Sequence, residues 1–283
     1  MKKVYLVYEK NSNSKKIKTD TINISNNINI TKYKKILIKS KSIYHFLKVK
    51  KINLDIIKLL KKKKNTLIYE SLDIFINNDN INSYIKQLFF LKFFDILICN
   101  NHTIKKILKE FFPHLNFFVI YHEFDNRFKN SNIINKKIYY LGSLNKFSLS
   151  DSINKYSITH IPTGGKHNKN LHKSSYCGIH IDFLLKNNFY YNLHTSTKLS
   201  TCLFFNSIFI CNKIPVYYEI LGSDYPLYIN DDLTNINKVI ENAYKILDNK
   251  EKYNEYLNNM KKYKIMLSPK NTSNEYKKIF ISN

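Results

Sequence analysis

A hydroxyl-rich run around one lysine is the stretch whose residue types most clearly predict chemistry. Ser196 and Thr197 directly precede Lys198, and an apolar segment of helical length follows. Serine and threonine favour the start of a helix because their side-chain oxygens accept hydrogen bonds from the free N–H groups of the first turn. The same N–H groups, with a lysine nearby, can bind phosphate oxygens. The run therefore predicts an anion-binding helix start.

An α/β order continues beyond this helix. The run Ser207 to Cys211 is β-branched and aromatic, which predicts a strand. Pro215 then begins a short helical segment that carries one acid, Glu219, and Tyr225 to Ile229 predicts another strand. Helix, strand, short helix and strand form the order of an α/β layer. The lysine and the acid are therefore expected in the same layer.

This order of residues resembles the donor-binding half of GT-B glycosyltransferases. The segment EILGSDYPLYI, which begins at Glu219, is similar to the segment that follows their donor-site glutamate. The motifs cover the last half of the chain, and the first half is similar in layout. The resemblance implies that Lys198, with Ser196 and Thr197 at the helix start, offsets the charge of a leaving diphosphate. It also implies that Glu219 accepts hydrogen bonds from both ribose hydroxyls of a nucleotide sugar.

A strand followed by glycine opens the second half of the chain. The run from Ile138 to Leu141 predicts the strand, and Gly142 and Lys146 follow it. Glycine lets the backbone come close to an anion. In GT-B enzymes the corresponding loop lies near the donor diphosphate, and Gly142 and Lys146 resemble its residues. The arginine that many members carry there is absent from this segment.

Two acids and a histidine are candidates for catalytic residues. The strand predicted over 66–73 delivers Glu70 and Asp73 near its carboxyl end, where parallel sheets bind ligands. Either acid is a candidate general base. His122 ends a later predicted strand and is a candidate contact for donor or acceptor. The alternatives are a helix cap or solvated group for the acids and an ordinary surface residue for His122.

Alternating strand and helix patterns run through the chain and predict its fold. We expect an α/β protein with two Rossmann-like domains whose parallel sheets face each other across a cleft, the GT-B architecture. The predicted domains are residues 1–126, on the acceptor side, and residues 127–283, which bind the donor nucleotide and end in C-terminal helices. Residues 127–137 form the predicted linker. A short helix is expected over 42–48, where Ser42 can act as its cap.

Charge and composition bound the functional classes. The chain has 283 residues, is 43% hydrophobic and has a formal net charge of +25, so it can bury large cores and is strongly basic. A basic chain suggests nucleic acid or an anionic membrane surface. However, the lysines are spread through both halves, and a single arginine, a single alanine and no tryptophan are typical of a strongly AT-rich genome. No nucleic-acid partner is therefore expected.

Cysteine and histidine spacing predicts neither disulfides nor a metal site. The four cysteines form no paired motif and lie in apolar runs, which favours reduced, buried thiols. The histidines lack zinc-ligand spacing, so no metal is expected. The N-terminus lacks the apolar core of a signal peptide, and no run reaches the roughly 20 apolar residues of a membrane span. We expect a cytoplasmic protein, with peripheral contact to an anionic membrane left open.

The sequence thus predicts a metal-independent glycosyltransferase. It would move a sugar from a nucleotide-sugar donor to a glycan, lipid or protein acceptor, with the donor as substrate and no further cofactor. Two alternatives stay open at this point. One is a catalytically silent scaffold of the same fold, favoured by an Asn, Ser and Lys connection where many members have a glycine-rich acceptor loop. The other is a basic polyanion-binding protein, favoured by charge alone.

Overall fold

The chain forms two compact units. The computed structural model describes residues 2–8, 18, 20–22, 28–32, 36–47, 49, 53–70, 89–125, 127–128, 134–142, 156–162, 176–185 and 191–283. The first unit comprises Met1–Tyr121 together with Lys270–Asn283, and the second comprises His122–Pro269. The predicted domain boundary lies between residues 126 and 127, whereas the first unit ends at Tyr121 and the second begins at His122. The last helix was predicted in the second domain but belongs to the first unit.

Each unit contains one parallel sheet. The first has the strand order β2-β1-β3-β4-β5-β6, and the second has the order β8-β7-β9-β10-β11. All recorded strand pairs are parallel. The strands are β1 (Val4–Tyr8), β2 (Ile28–Lys32), β3 (Ile43–Leu47), β4 (Thr66–Glu70), β5 (Ile96–Cys99), β6 (Asn116–Val119), β7 (Ile138–Leu141), β8 (Ile158–Ile161), β9 (Ile179–Asp182), β10 (Ile208–Asn212) and β11 (Tyr228–Ile229).

Helices accompany these strands in both units. The described helices are α1 (Leu54–Lys62), α2 (His102–Phe111), α3 (Thr197–Phe204), α4 (Pro215–Leu221), α5 (Ile236–Asp248), α6 (Lys250–Met266) and α7 (Pro269–Ile281). Asn53 and Asn101 cap α1 and α2, because their side chains accept from backbone N–H groups of the first turn. No helix within the described residues is long and apolar enough to cross a membrane.

The segment after Ser42 corrects one expectation. A short helix was expected over 42–48, but Ile43–Leu47 is strand β3, which lies between β1 and β4. All five of its residues are buried. A surface helix needs a polar face, whereas a strand inside a parallel sheet is covered on both sides and tolerates a continuous apolar run. Burial on both faces therefore decides in favour of the strand.

The C-terminal helix α7 packs in the first unit. Its residues Tyr276, Ile279 and Phe280 belong to the same buried cluster as strand residues such as Leu6 and Ile68. The helix is thus part of the first unit's core, although more than a hundred residues of the second unit precede it in the chain. Local sequence patterns predict the helix but not the sheet that it covers.

A buried acid at the end of β4 connects α7 to the sheet. Glu70 accepts a hydrogen bond of 2.7 Å from the Tyr276 hydroxyl, and His45 Nε2 lies 2.9 Å from the other carboxylate oxygen. The Lys18 ammonium lies 3.7 Å away. Burial raises the pKa of Glu70, but Lys18, His45 and Tyr276 together lower it from 4.5 to about 2. Glu70 is therefore an ionised, structural carboxylate.

Replacing Glu70 tests this account through acid stability. Because the folded pKa is depressed, the unfolded chain binds more protons between pH 4.5 and about 2, and the free energy of unfolding falls as the pH falls through that window. The shift corresponds to about 3 kcal/mol. We expect Glu70→Gln to be less stable at neutral pH and to lose this part of the pH dependence, as measured by urea unfolding at a series of pH values.

Glu110 on α2 provides the control, because it is an exposed glutamate of the same unit. Glu110→Gln should keep both the wild-type stability at neutral pH and the wild-type slope. An equal slope in Glu70→Gln and wild type would show that Glu70 is not the ionised residue that we describe.

Candidate functional site

The second sheet changes its direction of growth at β7. Strand β8 lies on one side of β7, and β9 lies on the other. In open parallel sheets, ligands bind outside the carboxyl ends of the strands at such a point, because the connections leave on opposite sides. The carboxyl end of β7 leads into Gly142, and that of β9 ends at Asp182. Side chains that reach these two positions are therefore the first candidates for a site.

Lys198 reaches this point from α3. Its ammonium donates to Asp182 Oδ1 at 2.5 Å and to the Tyr140 hydroxyl at 3.1 Å, and it lies 4.2 Å from the centroid of the Tyr140 ring. The side chain keeps 16% of its surface exposed. The lysine that the sequence singled out is therefore at the switch point of the sheet, and an acid already shares its charge.

Asp182 is the centre of a hydrogen-bonded cluster. Its Oδ2 accepts from the Tyr217 hydroxyl at 2.5 Å and lies 2.8 Å from His194 Nε2, while Oδ1 accepts from Lys198. Burial raises the pKa of Asp182, but Lys198 and His194 outweigh it and hold the pKa well below its usual range. Burial and Asp182 raise the pKa of Tyr217, so its hydroxyl remains a donor. We call these four residues the Asp182 cluster.

Hydroxyl groups lie at the start of α3, and the His122 imidazole lies beside them. Ser196 does not cap the helix with its side chain, because its hydroxyl donates to the His122 carbonyl at 3.0 Å. Thr197 Oγ1 lies 3.0 Å from His122 Nδ1 and 2.9 Å from Thr195 Oγ1. Thr197 is exposed and Ser196 is buried. The structure thus brings His122 and Thr197 together at the helix start, and the Ser196 hydroxyl bonds the His122 backbone.

Gly142 makes room for Lys198. Its φ is +149°, and a Cβ atom there would come within 3.2 Å of both Lys198 Cε and the Tyr140 hydroxyl. The Gly142 carbonyl also lies 2.7 Å from His160 Nε2, and the His160 ring stacks on Tyr140. The sequence explained this glycine by close approach of an anion. The structure adds a second reason, because a side chain at position 142 would crowd the aliphatic part of Lys198.

Glu219 lies on α4, the same helix as Tyr217, and is half-buried. Tyr217 extends from this helix to Asp182. Residues two positions apart on a helix point to different sides, so Glu219 does not share the direction of Tyr217. Tyr217 is therefore the residue of α4 that bonds Asp182, and Glu219 points to another side of the same helix.

The candidates in the first half of the chain have a different outcome. Glu70 has no exposed surface and is engaged by Lys18, His45 and Tyr276. A general base must reach the proton that it removes and works best with a pKa near the working pH. Neither condition is met by a fully buried carboxylate with a pKa of about 2. Asp73 and Lys146 lie outside the described residues.

Sequence reasoning did not single out Asp182, His194 or Tyr217. Asp182 is the last residue of β9, so the strand-end argument that was applied to Glu70 also applies to it. His194 directly precedes the hydroxyl-rich run, which is a weaker signal. Tyr217 has no signal, because the chain contains 22 tyrosines and this one lies in an apolar helix.

Comparisons with known proteins support the fold alone. No protein-family model matches the chain, and no curated protein matches its sequence. The structure is similar to one chain of a solved structure entitled "Crystal structure of GtfA/B complex", with a TM-score of 0.50 and 10% sequence identity. The match covers 86% of this chain and 57% of that chain, so it spans little more than half the length of that solved chain.

At this level of identity the similarity concerns architecture. It supports a glycosyltransferase-like fold, in agreement with the two parallel sheets and their helices. The α/β fold with two Rossmann-like units that the sequence predicted is confirmed.

Proposed function

We propose that this chain transfers a sugar from a nucleoside-diphosphate sugar to an acceptor, and that the donor's diphosphate binds at the start of α3 beside Lys198. The observation that carries the proposal is the position of the Lys198 ammonium. It lies at the carboxyl ends of β7 and β9, where the strand order changes direction, in a chain with a glycosyltransferase-like fold.

The electrostatics of the helix start suit a leaving diphosphate. The first N–H groups of a helix and its macrodipole favour negative charge, and Ser196 leaves them without a side-chain cap. Thr197 adds an exposed hydroxyl, and Lys198 adds a positive charge that is held in place before the reaction. Groups that are preorganised around developing charge contribute several kcal/mol to catalysis. The proposal therefore assigns the neutralisation of the diphosphate to protein groups, without a metal ion.

Other residues have proposed roles around this centre. Glu219 would accept hydrogen bonds from the ribose hydroxyls, since a carboxylate has paired acceptors and no donor. Its half-buried position on α4 leaves surface for such a contact. His122, which contacts Thr197, would touch the phosphate or the sugar, and Gly142 and Lys146 would border the diphosphate. The acceptor is proposed only as a class: glycan, lipid or protein.

Nucleotide-sugar binding should depend on Lys198. We expect a UDP, GDP or dTDP sugar to raise the melting temperature of the wild type, and Lys198→Met to abolish that rise. A ligand that binds only the folded state at 100 times its Kd adds about 2.7 kcal/mol of stability. Each variant is compared with its own ligand-free state in a thermal-shift assay, because loss of the lysine also leaves Asp182 without its counter-charge.

Lys252→Met is the matched control, since Lys252 is exposed on α6. It should keep the full response. A response that persists in Lys198→Met would remove the diphosphate site from the start of α3. Binding without sugar transfer or donor hydrolysis would instead indicate a catalytically silent scaffold.

Glu219→Gln should separate ribose recognition from phosphate recognition. We expect it to weaken the binding of the nucleoside-diphosphate sugar by about tenfold, because one strong hydrogen-bonding interaction is lost. Its affinity for inorganic pyrophosphate, which has no ribose, should remain that of the wild type. Isothermal titration calorimetry measures both, with Glu241→Gln on the exposed side of α5 as control. An equal loss for both ligands would contradict a ribose contact.

Two glycines among the described residues have positive φ and offer a matched pair. Gly142 and Gly222 have φ values of +149° and +82°, so an alanine at either position costs roughly 1–3 kcal/mol of backbone strain. A Cβ at Gly142 would crowd Lys198, whereas nothing lies within 4 Å of a Cβ at Gly222. We expect both alanine variants to lose stability and only Gly142→Ala to lose pyrophosphate affinity. Equal affinities in calorimetry would show that Gly142 has no link to the site.

A further inference from the structure

We propose that Asp182 is a positioning residue for the diphosphate site, which fixes the Lys198 ammonium and the His194 ring at the carboxyl end of β9. This inference rests on the proposed function, because it concerns how the same site is held ready for its ligand. Asp182 does not itself meet the ligand. Its side chain has no exposed surface, whereas Lys198 keeps 16% and His194 keeps 12% of theirs.

The carboxylate divides its oxygens between partners from different elements. Oδ1 binds Lys198 from α3, and Oδ2 binds His194, from the segment before α3, and Tyr217 from α4. One acid therefore fixes three parts of the second unit relative to β9. Because Asp182 is held ionised, all three remain hydrogen-bonded at neutral pH.

Lys198 needs such an anchor, because a lysine has four rotatable bonds and loses their freedom when it binds. In this structure its ammonium lies between Asp182 Oδ1 and the Tyr140 hydroxyl, and its Cε lies where Gly142 lacks a side chain. The ordering is thus complete before a ligand arrives. Preorganisation of this kind raises affinity by removing a cost of binding.

Coulomb's law alone gives the opposite expectation. A carboxylate near an anion site repels the anion, so its removal should strengthen anion binding. If Asp182 acts by positioning Lys198, its removal should weaken anion binding. The two accounts differ in sign, and a single substitution therefore distinguishes them.

The first unit contains a cluster of the same residue types. Glu70 lies among Lys18, His45 and Tyr276, as Asp182 lies among Lys198, His194 and Tyr217. The exposed fractions of the Lys18 and Glu70 side chains are 3% and 0%, so this cluster is closed to solvent. Glu70→Gln therefore removes a buried carboxylate with similar partners and should affect stability without affecting anion binding.

The test compares Asp182→Asn, Glu70→Gln and wild type by calorimetry with inorganic pyrophosphate at neutral pH. We expect Asp182→Asn to bind about tenfold more weakly, the size of effect seen when groups that orient metal-binding side chains are removed. Glu70→Gln should bind within about twofold of wild type. Unchanged or tighter binding by Asp182→Asn would overturn the inference, as would an equal loss in Glu70→Gln.

A measurement on the wild type covers the case in which Asp182→Asn does not fold. Nitrogen-15 NMR of the lysine ammonium groups should include a slowly exchanging signal that is missing in Lys198→Arg and that shifts when pyrophosphate is added. Absence of a retained Lys198 signal would overturn the positioning role. If the wild type binds neither pyrophosphate nor any nucleotide sugar, the proposed function fails as well, whereas pyrophosphate binding that survives loss of Asp182 contradicts the positioning role alone.

Discussion

The second unit depends on one buried negative charge. Asp182 has no exposed surface, and an unpaired carboxylate in that position would cost several kcal/mol. The charge is stable only because Lys198, His194 and Tyr217 all reach it. These three contacts fix the start of α3, the segment before it and the side of α4 that faces the sheet. The same contacts hold the Lys198 ammonium at the switch point of the sheet.

The same chemistry has different consequences in the two units because exposure differs. In the first unit the acid at the end of β4 is fully buried and bonds Tyr276 of α7. In the second unit the lysine and the histidine retain part of their surface. A buried ion pair is weak evidence for a stabilising role, since an apolar replacement is often as stable. Retained exposure of the cationic partner is therefore the feature that separates a candidate site from a structural cluster.

The sequence carried enough information for the architecture, and it singled out Lys198 of the candidate site. Alternating β-branched runs and helical periods predicted most strands and helices, because those patterns are local. The segment 42–48 failed, since burial on both faces of β3 is set by its neighbours β1 and β4 and not by its own residues. Glu70 failed as a base candidate for a similar reason: Tyr276, which helps to bury it, lies 206 positions away in the chain. Lys198 was singled out because a helix start is a local sequence pattern. Asp182 was not, because its contact with Lys198 joins residues that are 16 positions apart in the chain.

The net charge of the chain does not explain the site. Most lysines of the described residues are exposed. At moderate ionic strength, salt screens their attraction for anions that lie more than about 10 Å away. Lys198 differs, because its charge is largely compensated by Asp182 and both groups are partly or fully shielded from solvent. Any selectivity for a diphosphate must then come from direction: a fixed ammonium, an exposed threonine hydroxyl and the N–H groups of one helix start. A general excess of lysine raises the local concentration of every polyanion alike, and only such a fixed arrangement can distinguish between them.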